Sequence, residues 1–385
     1  AEQLARSDTS RWESLRTAAK LAIFRKVQRE KGSQLSNPQF DALYLDRPDA
    51  TEAFSRFCLD PKASICFLLA ESGAGKTSFC CKIARDFIRQ VDREKQGTND
   101  VLFFLDASSI SSSDPATSIL ASMEIRADSL PEALRRLGAS ADEGRLILLI
   151  DGLNEHEAPA DLLSYLGQLA NDVNQGWFKI LITCRLVMWD SISRNSSFHR
   201  NLIFNPSSLS DASITVPHIR LGQFSSADVQ NVYAKYAVNR HIRTPYKSLP
   251  PFVKELCRDP FLLNLITDAF KGESGAKAEL RSCSVGAIFE KYLFASCPRK
   301  LHRPDDRGNT PPDYEIVLSL LNLMWRNRLG FVSETQIQSN PILSQAVYDP
   351  PPPSGHGEIL VCHDAVCRWR WKPSSEDSIP FPCPS

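Results

Sequence analysis

The sequence predicts a three-layer α/β domain built on a parallel sheet, followed by an all-α helical domain. Short, wholly apolar runs alternate with amphipathic stretches through the first half of the 385-residue chain. This alternation is typical of buried parallel strands joined by helices. After residue 225 the apolar residues recur only at the spacing of a helix. A chain of this length exceeds one typical core and predicts two or three domains.

The predicted elements follow one another in a regular order. Residues 1–43 are predicted to be helical, with apolar residues at helical spacing from Trp12 through Val27. The predicted strands are Ile65–Leu69, Val101–Leu105, Leu146–Ile150, Phe178–Thr183 and Ile214–Leu221. The predicted helices are 76–90, a short one opened by Pro131, 162–173, 226–239, 249–256, 260–271, 285–295 and 314–328. Ser-rich stretches at 107–113 and 191–211 are predicted to be solvated loops.

Composition excludes several classes of protein. Lys plus Arg and Asp plus Glu both number 45, so the net charge is zero and there is no strong nucleic-acid signal. No stretch approaches the ~20 apolar residues that a membrane-spanning helix needs. The 11 Cys lack the spacing of a disulfide framework. They favour reduced, mostly buried thiols in a cytoplasmic protein over a disulfide scaffold.

A Gly-rich phosphate-binding pattern follows the first predicted strand directly. It consists of Ala70, Glu71, Ser72, Gly73, Ala74, Gly75, Lys76 and Thr77, with Ser78 next in the helix. Small residues let backbone N–H groups wrap an anion, and the helix adds unpaired N–H donors. Lys76 is predicted to reach the β- and γ-phosphates of ATP or ADP, and the Thr77 hydroxyl to ligate Mg²⁺. The strand before the pattern and the helix after it disfavour a mere Gly-rich turn.

Such a loop needs a carboxylate on a second strand, because Mg²⁺ must be held and a water oriented. Asp151 ends the third predicted strand, and we predict that it holds Mg²⁺ while Glu155 orients or deprotonates the attacking water. Asp106, at the end of the second strand, is predicted to be an ordinary loop acid. Arg185 closes the fourth strand, where its fixed charge would sense the γ-phosphate. A capping role for Glu155 and a plain surface position for Arg185 are the competing interpretations.

Together these segments resemble the NACHT type of STAND signal-transduction ATPases over roughly 44–348. AESGAGKT is similar to that family's P-loop, DGLNE to its extended Walker B segment and LITCR to its sensor strand. IRLGQFSSADVQNVYAKY resembles the strand and helix that lead into its helical domain. RDPFLLNLI resembles the motif whose proline packs on adenine, which implies that role for Pro260. YLDRP resembles the linker motif near the base, which implies that Arg47 lies there.

The resemblance implies a division of the chain into domains. These are an N-terminal helical linker or effector remnant (1–43), a P-loop NTPase domain (44–222), a helical domain (223–284), a partial winged-helix region (285–349) and a Pro-rich irregular tail (350–385). The tail opens with four consecutive prolines and is predicted not to be a native continuation. Its Cys362, His363, Cys367 and Cys383 match no common zinc spacing.

This sequence also departs from the family pattern. Asn154 replaces the usual second acid of the Walker B segment, which is expected to slow or alter hydrolysis. The winged-helix His of the family has no secure counterpart, and His363 in the tail is the nearby candidate. Family members carry an effector domain and a repeat-built sensor, so the chain is expected to be a fragment that lacks both in complete form.

The resemblance implies an ATP/ADP-gated switch with slow, Mg²⁺-dependent hydrolysis. Its implied partners are nucleotide, further copies of the NTPase domain on activation, and an activator that the sequence does not identify. Two other hypotheses stay open. One is a mechanical or nucleic-acid-remodelling ATPase of the AAA+ class, and the other is a non-catalytic scaffold stabilised by nucleotide.

Overall fold

The computed structural model gives a parallel sheet flanked by helices. It describes residues 12, 14–23, 43–93, 100–138, 144–173, 176–206, 216–271, 319, 337–348, 358–362 and 366–370. The strands are β1 (Ile65–Ala70), β2 (Val101–Asp106), β3 (Leu146–Asp151), β4 (Phe178–Arg185), β5 (Ile219–Arg220), β6 (Glu358–Cys362) and β7 (Val366–Arg370). The helices are α1 (Pro48–Leu59), α2 (Lys76–Arg93), α3 (Pro115–Ser122), α4 (Leu130–Gly138), α5 (Pro159–Val173), α6 (Leu186–Arg194), α7 (Ser226–Asn239), α8 (Pro251–Leu256), α9 (Pro260–Ala269) and α10 (Pro341–Tyr348).

Strands β1 to β5 form one parallel sheet in the order β2-β3-β4-β1-β5. The strand that precedes the phosphate-binding pattern, β1, therefore lies between β4 and β5. Its six residues are all buried, which shows that both faces of the sheet are covered. Helix α2 packs against β1, β2 and β3, while α5 and α6 pack against β4. The predicted three-layer α/β fold is confirmed.

Strand β5 is shorter than the predicted strand Ile214–Leu221. It has two residues and pairs with β1 only through Leu68 with Ile219 and Leu69 with Arg220. Pro217 precedes it, and a proline cannot donate a hydrogen bond to the ladder of a sheet. The sheet therefore gains only a short edge strand here.

The chain divides into two compact units, the first made of 1–236 with 251–263 and the second of 237–250 with 264–385. In the first unit, residues 14–23 are helical, as predicted. Trp12 is buried and meets Trp177 edge to face, with the ring centroids 6.3 Å apart. This segment thus packs on the α/β core through the apolar face that its periodicity indicated. No helix in the described ranges is long and apolar enough to cross a membrane.

In the second unit, Arg240 joins the segment 237–250 to the later turns of α9. Its guanidinium donates to the carbonyl and side-chain oxygens of Asn264 at 2.6 and 2.7 Å, and to the hydroxyl of Thr267. It also forms an ion pair with Asp268 at 3.5 Å.

Strands β6 and β7 form an antiparallel hairpin within the tail that the sequence predicts to be irregular. The predicted helices 285–295 and 314–328 lie outside the described residues, apart from residue 319, which is helical.

Candidate functional site

The phosphate-binding pattern forms the loop between β1 and α2, at the carboxyl edge of the sheet. The strand ends at Ala70 and the helix begins at Lys76. Gly73 and Gly75 have φ angles of +81° and +97°, in the left-handed region that glycine adopts without strain. The first helical hydrogen bond runs from the Phe79 N–H to the Gly75 carbonyl at 2.9 Å. The first N–H groups of a helix generally lack partners within that helix, so a helix that starts directly after a Gly-rich loop suits an anion.

Lys76 is folded back onto the loop that precedes it. Its Nζ donates to the carbonyls of Ala70 and Glu71, both at 2.9 Å. Burial lowers the pKa of the Lys76 ammonium, and the neighbouring charge of Arg185 lowers it further. The ammonium therefore lies at the loop. A phosphate bound there would replace the two carbonyls as the hydrogen-bond acceptor of Lys76.

Asp151 lies at the end of β3 and is held by a residue of β4. The Thr183 hydroxyl donates to Asp151 Oδ1 at 2.5 Å and accepts from the Gly152 N–H at 2.8 Å. Thr183 is fully buried, so its hydroxyl has a fixed position. Gly152 has a φ of +74°, which turns the chain from the strand into the short 3₁₀ segment Leu153–Glu155. Thr183 was not among the predicted site residues.

Glu155 and Arg185 meet beside Asp151. Arg185 Nη2 lies 3.5 Å from Glu155 Oε1, and both side chains are partly exposed. The Asn154 side-chain oxygen accepts from the Arg185 backbone N–H at 3.0 Å. In the sheet register, Ala70 pairs with Arg185, so the arginine lies at the start of the phosphate-binding loop. Asn154 therefore orients the backbone of Arg185.

Two other titratable residues near this edge lie away from the loop. Asp106 pairs in register with Asp151, but its strand is at the far edge of the sheet from β1. His156 is buried, accepts at Nδ1 from the Ala158 N–H at 3.0 Å and, with its proton on Nε2, donates to the Ile110 carbonyl at 3.1 Å. Both ring nitrogens of His156 are thereby used in holding the loop after β3.

The start of α9 lies against the phosphate-binding loop. A Cβ on Gly73 would come within 2.5 Å of the Phe261 Cβ, so only glycine permits this approach. Asp259 accepts at Oδ1 from the N–H groups of Phe261 at 2.8 Å and Leu262 at 3.1 Å, which caps the helix. Pro260 is the first residue of α9 and precedes Phe261, which approaches the loop. Phe261 itself remains 48% exposed and was not among the predicted site residues.

Arg47 also reaches this loop. Its guanidinium donates from Nη2 to the Ala74 carbonyl at 3.4 Å and from Nη1 to the Gly222 carbonyl at 3.2 Å. Its Cζ lies 4.3 Å from the centre of the Phe224 ring. Arg47 is thus placed at the loop, where its contacts are with protein backbone and an aromatic ring, and its implied position near the base stays a prediction.

Three features identify the fold: the strand order, the loop between β1 and α2, and the carboxylate at the end of β3. The chain has the P-loop NTPase fold. No protein-family model matches the sequence, and no curated protein is significantly similar to it.

Solved structures do match the chain at low identity. Domain III of the Thermotoga maritima replication initiation protein DnaA is 15% identical, with 68% of this chain and 97% of that chain covered and a TM-score of 0.37. The Aeropyrum pernix ORC1 protein, solved in complex with DNA, is 15% identical over 82% of this chain and 81% of that chain, with a TM-score of 0.37. A Walker-type ATPase of Pyrococcus abyssi is 13% identical over 85% of this chain and 93% of that chain, with a TM-score of 0.40.

The residues at the loop fit Mg²⁺ bound together with phosphates. The Thr77 hydroxyl and the Asp151 carboxylate offer hard oxygen ligands, which Mg²⁺ prefers, and nucleotide phosphates and water complete such sites. Thr77 is exposed at the first turn of α2, and Thr183 fixes the orientation of Asp151. Within the described ranges, no group of three or more His, Cys, Asp or Glu is arranged to hold a metal ion. A site of this kind therefore depends on the nucleotide for its remaining ligands.

Proposed function

We propose that this chain binds ATP and ADP with Mg²⁺ at the loop 70–78 and hydrolyses ATP slowly. One observation carries the proposal: four kinds of group converge at the carboxyl edge of one sheet. They are the loop with its ammonium (Lys76), a clamped carboxylate (Asp151), a second carboxylate (Glu155) and an arginine (Arg185). This is the set that phosphoryl transfer needs, because the chemistry depends on positioning and on neutralising charge.

Each residue has a distinct role in the proposed reaction. The loop amides and Lys76 bind the β- and γ-phosphates. Thr77 and Asp151 hold Mg²⁺, which supplies positive charge to the phosphate oxygens. Glu155 orients the attacking water and accepts its proton, and Arg185 stabilises negative charge that develops on the γ-phosphoryl group.

The ion pair between Glu155 and Arg185 supports slow turnover. Glu155 Oε1 lies 3.5 Å from the guanidinium, so each of these two groups already has the other as its partner. A γ-phosphate would compete with Glu155 for Arg185. Hydrolysis is then coupled to a rearrangement of this pair, which suits an enzyme that times a state better than one that turns over quickly.

We further infer that the nucleotide acts as a switch of the STAND or NACHT type in the cytoplasm. The ordered run of motifs supports this, together with the packing of the α9 start on the loop. ADP and ATP would favour different arrangements of the chain through differential affinity, and the ATP-bound form would self-associate through the NTPase domain in response to an activator. Pro260 would contact the adenine in this arrangement.

A DNA-acting AAA+ ATPase is the second candidate. Three of the solved structures to which this chain is similar are a replication initiation protein, a protein in complex with DNA and a Walker-type ATPase, and none of the three is named as a NACHT or STAND protein. These proteins are closer to the AAA+ alternative than to the switch. The net charge of zero supplies no general attraction to DNA, so this candidate requires a local basic surface.

One set of assays separates these candidates. Nucleotide is extracted from the purified chain, and Mg²⁺-ATP turnover is measured with and without single- and double-stranded DNA. The variants are Glu155→Gln and, as the matched control, Glu157→Gln, whose exposed carboxylate accepts from Ser112 at 2.8 Å instead of facing Arg185. We expect the purified chain to carry ADP and to hydrolyse ATP slowly, at a rate that DNA leaves unchanged. Hydrolysis should be lost in Glu155→Gln and kept in Glu157→Gln.

Each other outcome has a definite meaning. Strong stimulation by DNA favours the AAA+ candidate. Bound nucleotide with no turnover in either the unaltered chain or Glu155→Gln favours the non-catalytic scaffold. A chain that neither carries nor takes up nucleotide contradicts the proposed function.

A further inference from the structure

Arg47 connects three segments of the first unit, namely α1, the phosphate-binding loop and the chain after β5. The residue lies directly before α1, and its carbonyl accepts the first helical bond of α1 from the Thr51 N–H at 2.9 Å. One terminal nitrogen donates to the Ala74 carbonyl in the phosphate-binding loop, and the other donates to the Gly222 carbonyl after β5. The guanidinium also stacks on Phe224, which is buried. A planar group with fixed donors is suited to hold several segments at once.

The contact with Ala74 fixes the direction of a peptide group. The Ala74–Gly75 peptide is trans, so the Ala74 carbonyl and the Gly75 N–H point in opposite directions across one plane. A donor that holds the carbonyl on the Arg47 side therefore turns the Gly75 N–H away from Arg47. Gly75, with a φ of +97° and no atom outside its neighbours closer than 4.0 Å to a Cβ built on it, has ample freedom to turn otherwise.

We propose that Arg47 is a positioning residue that presents the Gly75 amide to the phosphates, and that it does not select the base. This inference rests on the proposed function, because it concerns binding of phosphate in that same loop. Both terminal nitrogens and one face of the guanidinium are already engaged with the protein. Arg47 therefore acts on the nucleotide through the loop backbone.

The proposal predicts that loss of the Arg47 guanidinium weakens binding of the phosphates, whether or not a base is attached to them. Removing the guanidinium in Arg47→Met frees the Ala74 carbonyl and lets the Gly75 peptide rotate. We expect the Kd for a fluorescent ADP analogue to rise about tenfold, the size expected for one hydrogen bond to a charged group. The inhibition constant of pyrophosphate, which has neither base nor ribose, should rise by the same factor. Arg47→Lys, with a single ammonium, should recover part of the affinity.

Arg56 provides a matched control on the same helix. It lies in the last turn of α1, donates to the Pro206 carbonyl at 3.0 Å and has its Cζ 5.9 Å from the centre of the Phe204 ring. Arg56→Met thus removes the same kinds of contact at a distance from the loop. Its Kd for the ADP analogue should stay within about twofold of the unaltered chain, as expected for a site without a shared partner.

The outcomes separate this inference from the proposed function. An unaltered chain that binds the ADP analogue, with Arg47→Met binding equally well, overturns only the role of Arg47. Weaker ADP binding with unchanged pyrophosphate inhibition shows instead that Arg47 contacts the base or ribose, which also overturns it. No binding by the unaltered chain rejects both proposals. If Arg47→Met does not fold, judged by its melting curve against Arg56→Met, the same comparisons are made with Arg47→Lys.

Discussion

At the residue scale, side chains that look incidental in the sequence hold the candidate site residues in place. Thr183 links the Asp151 carboxylate to the Gly152 N–H, and Asn154 holds the backbone of Arg185. The candidate ligands and acids themselves were predicted because strand ends and motif spacing mark them. Their partners were missed because each pair combines two segments whose register only the folded sheet defines.

Replacing Thr183 with valine tests the clamp on Asp151. Valine has the same shape but neither donates to Asp151 nor accepts from Gly152. We expect Mg²⁺-ATP turnover to fall about 10- to 100-fold, the usual effect of losing a group that orients a metal ligand. Steady-state turnover at varied Mg²⁺ concentration measures it. Thr183→Ser keeps the hydroxyl and should retain most activity, and equal losses in both variants would contradict the clamp.

The glycine at position 73 is required for two reasons that act together. Its φ is +81°, and a Cβ would come within 2.5 Å of the Phe261 Cβ. We expect Gly73→Ala to destabilise the first unit by about 2 kcal/mol or more, because the left-handed backbone alone costs roughly 1–2 kcal/mol for a residue with a Cβ. Gly222 is the matched control, since no atom lies within 4 Å of a Cβ built there. Gly222→Ala should stay within about 0.5 kcal/mol in denaturant titrations, and a similar loss in both variants would contradict the steric argument.

At the scale of elements, the apolar runs predicted the central strands because each is buried along its whole length. Helices α1 and α3 were not predicted, because no element was assigned to their residues, and the end of α6 falls in the stretch 191–211 that was predicted to be a loop. Signals for two of them were present in the sequence. Pro48 and Pro115 each occupy a first helical position, and Asp114 accepts from the Thr117 N–H as an N-cap. Pro217 accounts for the shortness of β5, because a proline cannot donate to the ladder of a sheet.

The opposite end of β4 carries a buried charge that ties the sheet to the end of α1. Lys179 is fully buried, and its Nζ donates to the carbonyls of Asp60 and Ala63 and lies 5.3 Å from the centre of the Phe57 ring. Burial lowers the pKa of Lys179 to about 8, with smaller opposing effects from Cys58 and Asp60 and a further lowering by Arg145. In the unfolded chain a lysine titrates near pH 10.4.

Lys179 therefore predicts a dependence of stability on pH. Between about pH 8 and pH 10 the unfolded chain binds more protons at this residue than the folded chain, so stability rises with pH in that window. The rise is expected to reach about 1–3 kcal/mol. Because burial raises the pKa of Cys58 to about 12, that thiol acts in the opposite direction, and the comparison is made with Lys179→Met. In denaturant titrations, the free energy of unfolding of the unaltered chain minus that of Lys179→Met should become more positive from pH 7.5 to pH 10. A constant difference would contradict the assignment.

At the scale of the whole molecule, nucleotide binding should stabilise one of the two units. The loop, the carboxylates and Arg47 all belong to the first unit, 1–236 with 251–263. A ligand at about 100 times its Kd stabilises the state that binds it by about 2.7 kcal/mol. We expect saturating Mg²⁺-ADP to slow amide hydrogen exchange in β1, β3 and β4, measured by mass spectrometry. Lys76→Ala should lose this protection, while Lys82→Ala, which removes an ion pair with Asp86 on the same helix α2, should keep it. Equal protection in both variants would show that ADP acts elsewhere than at the loop.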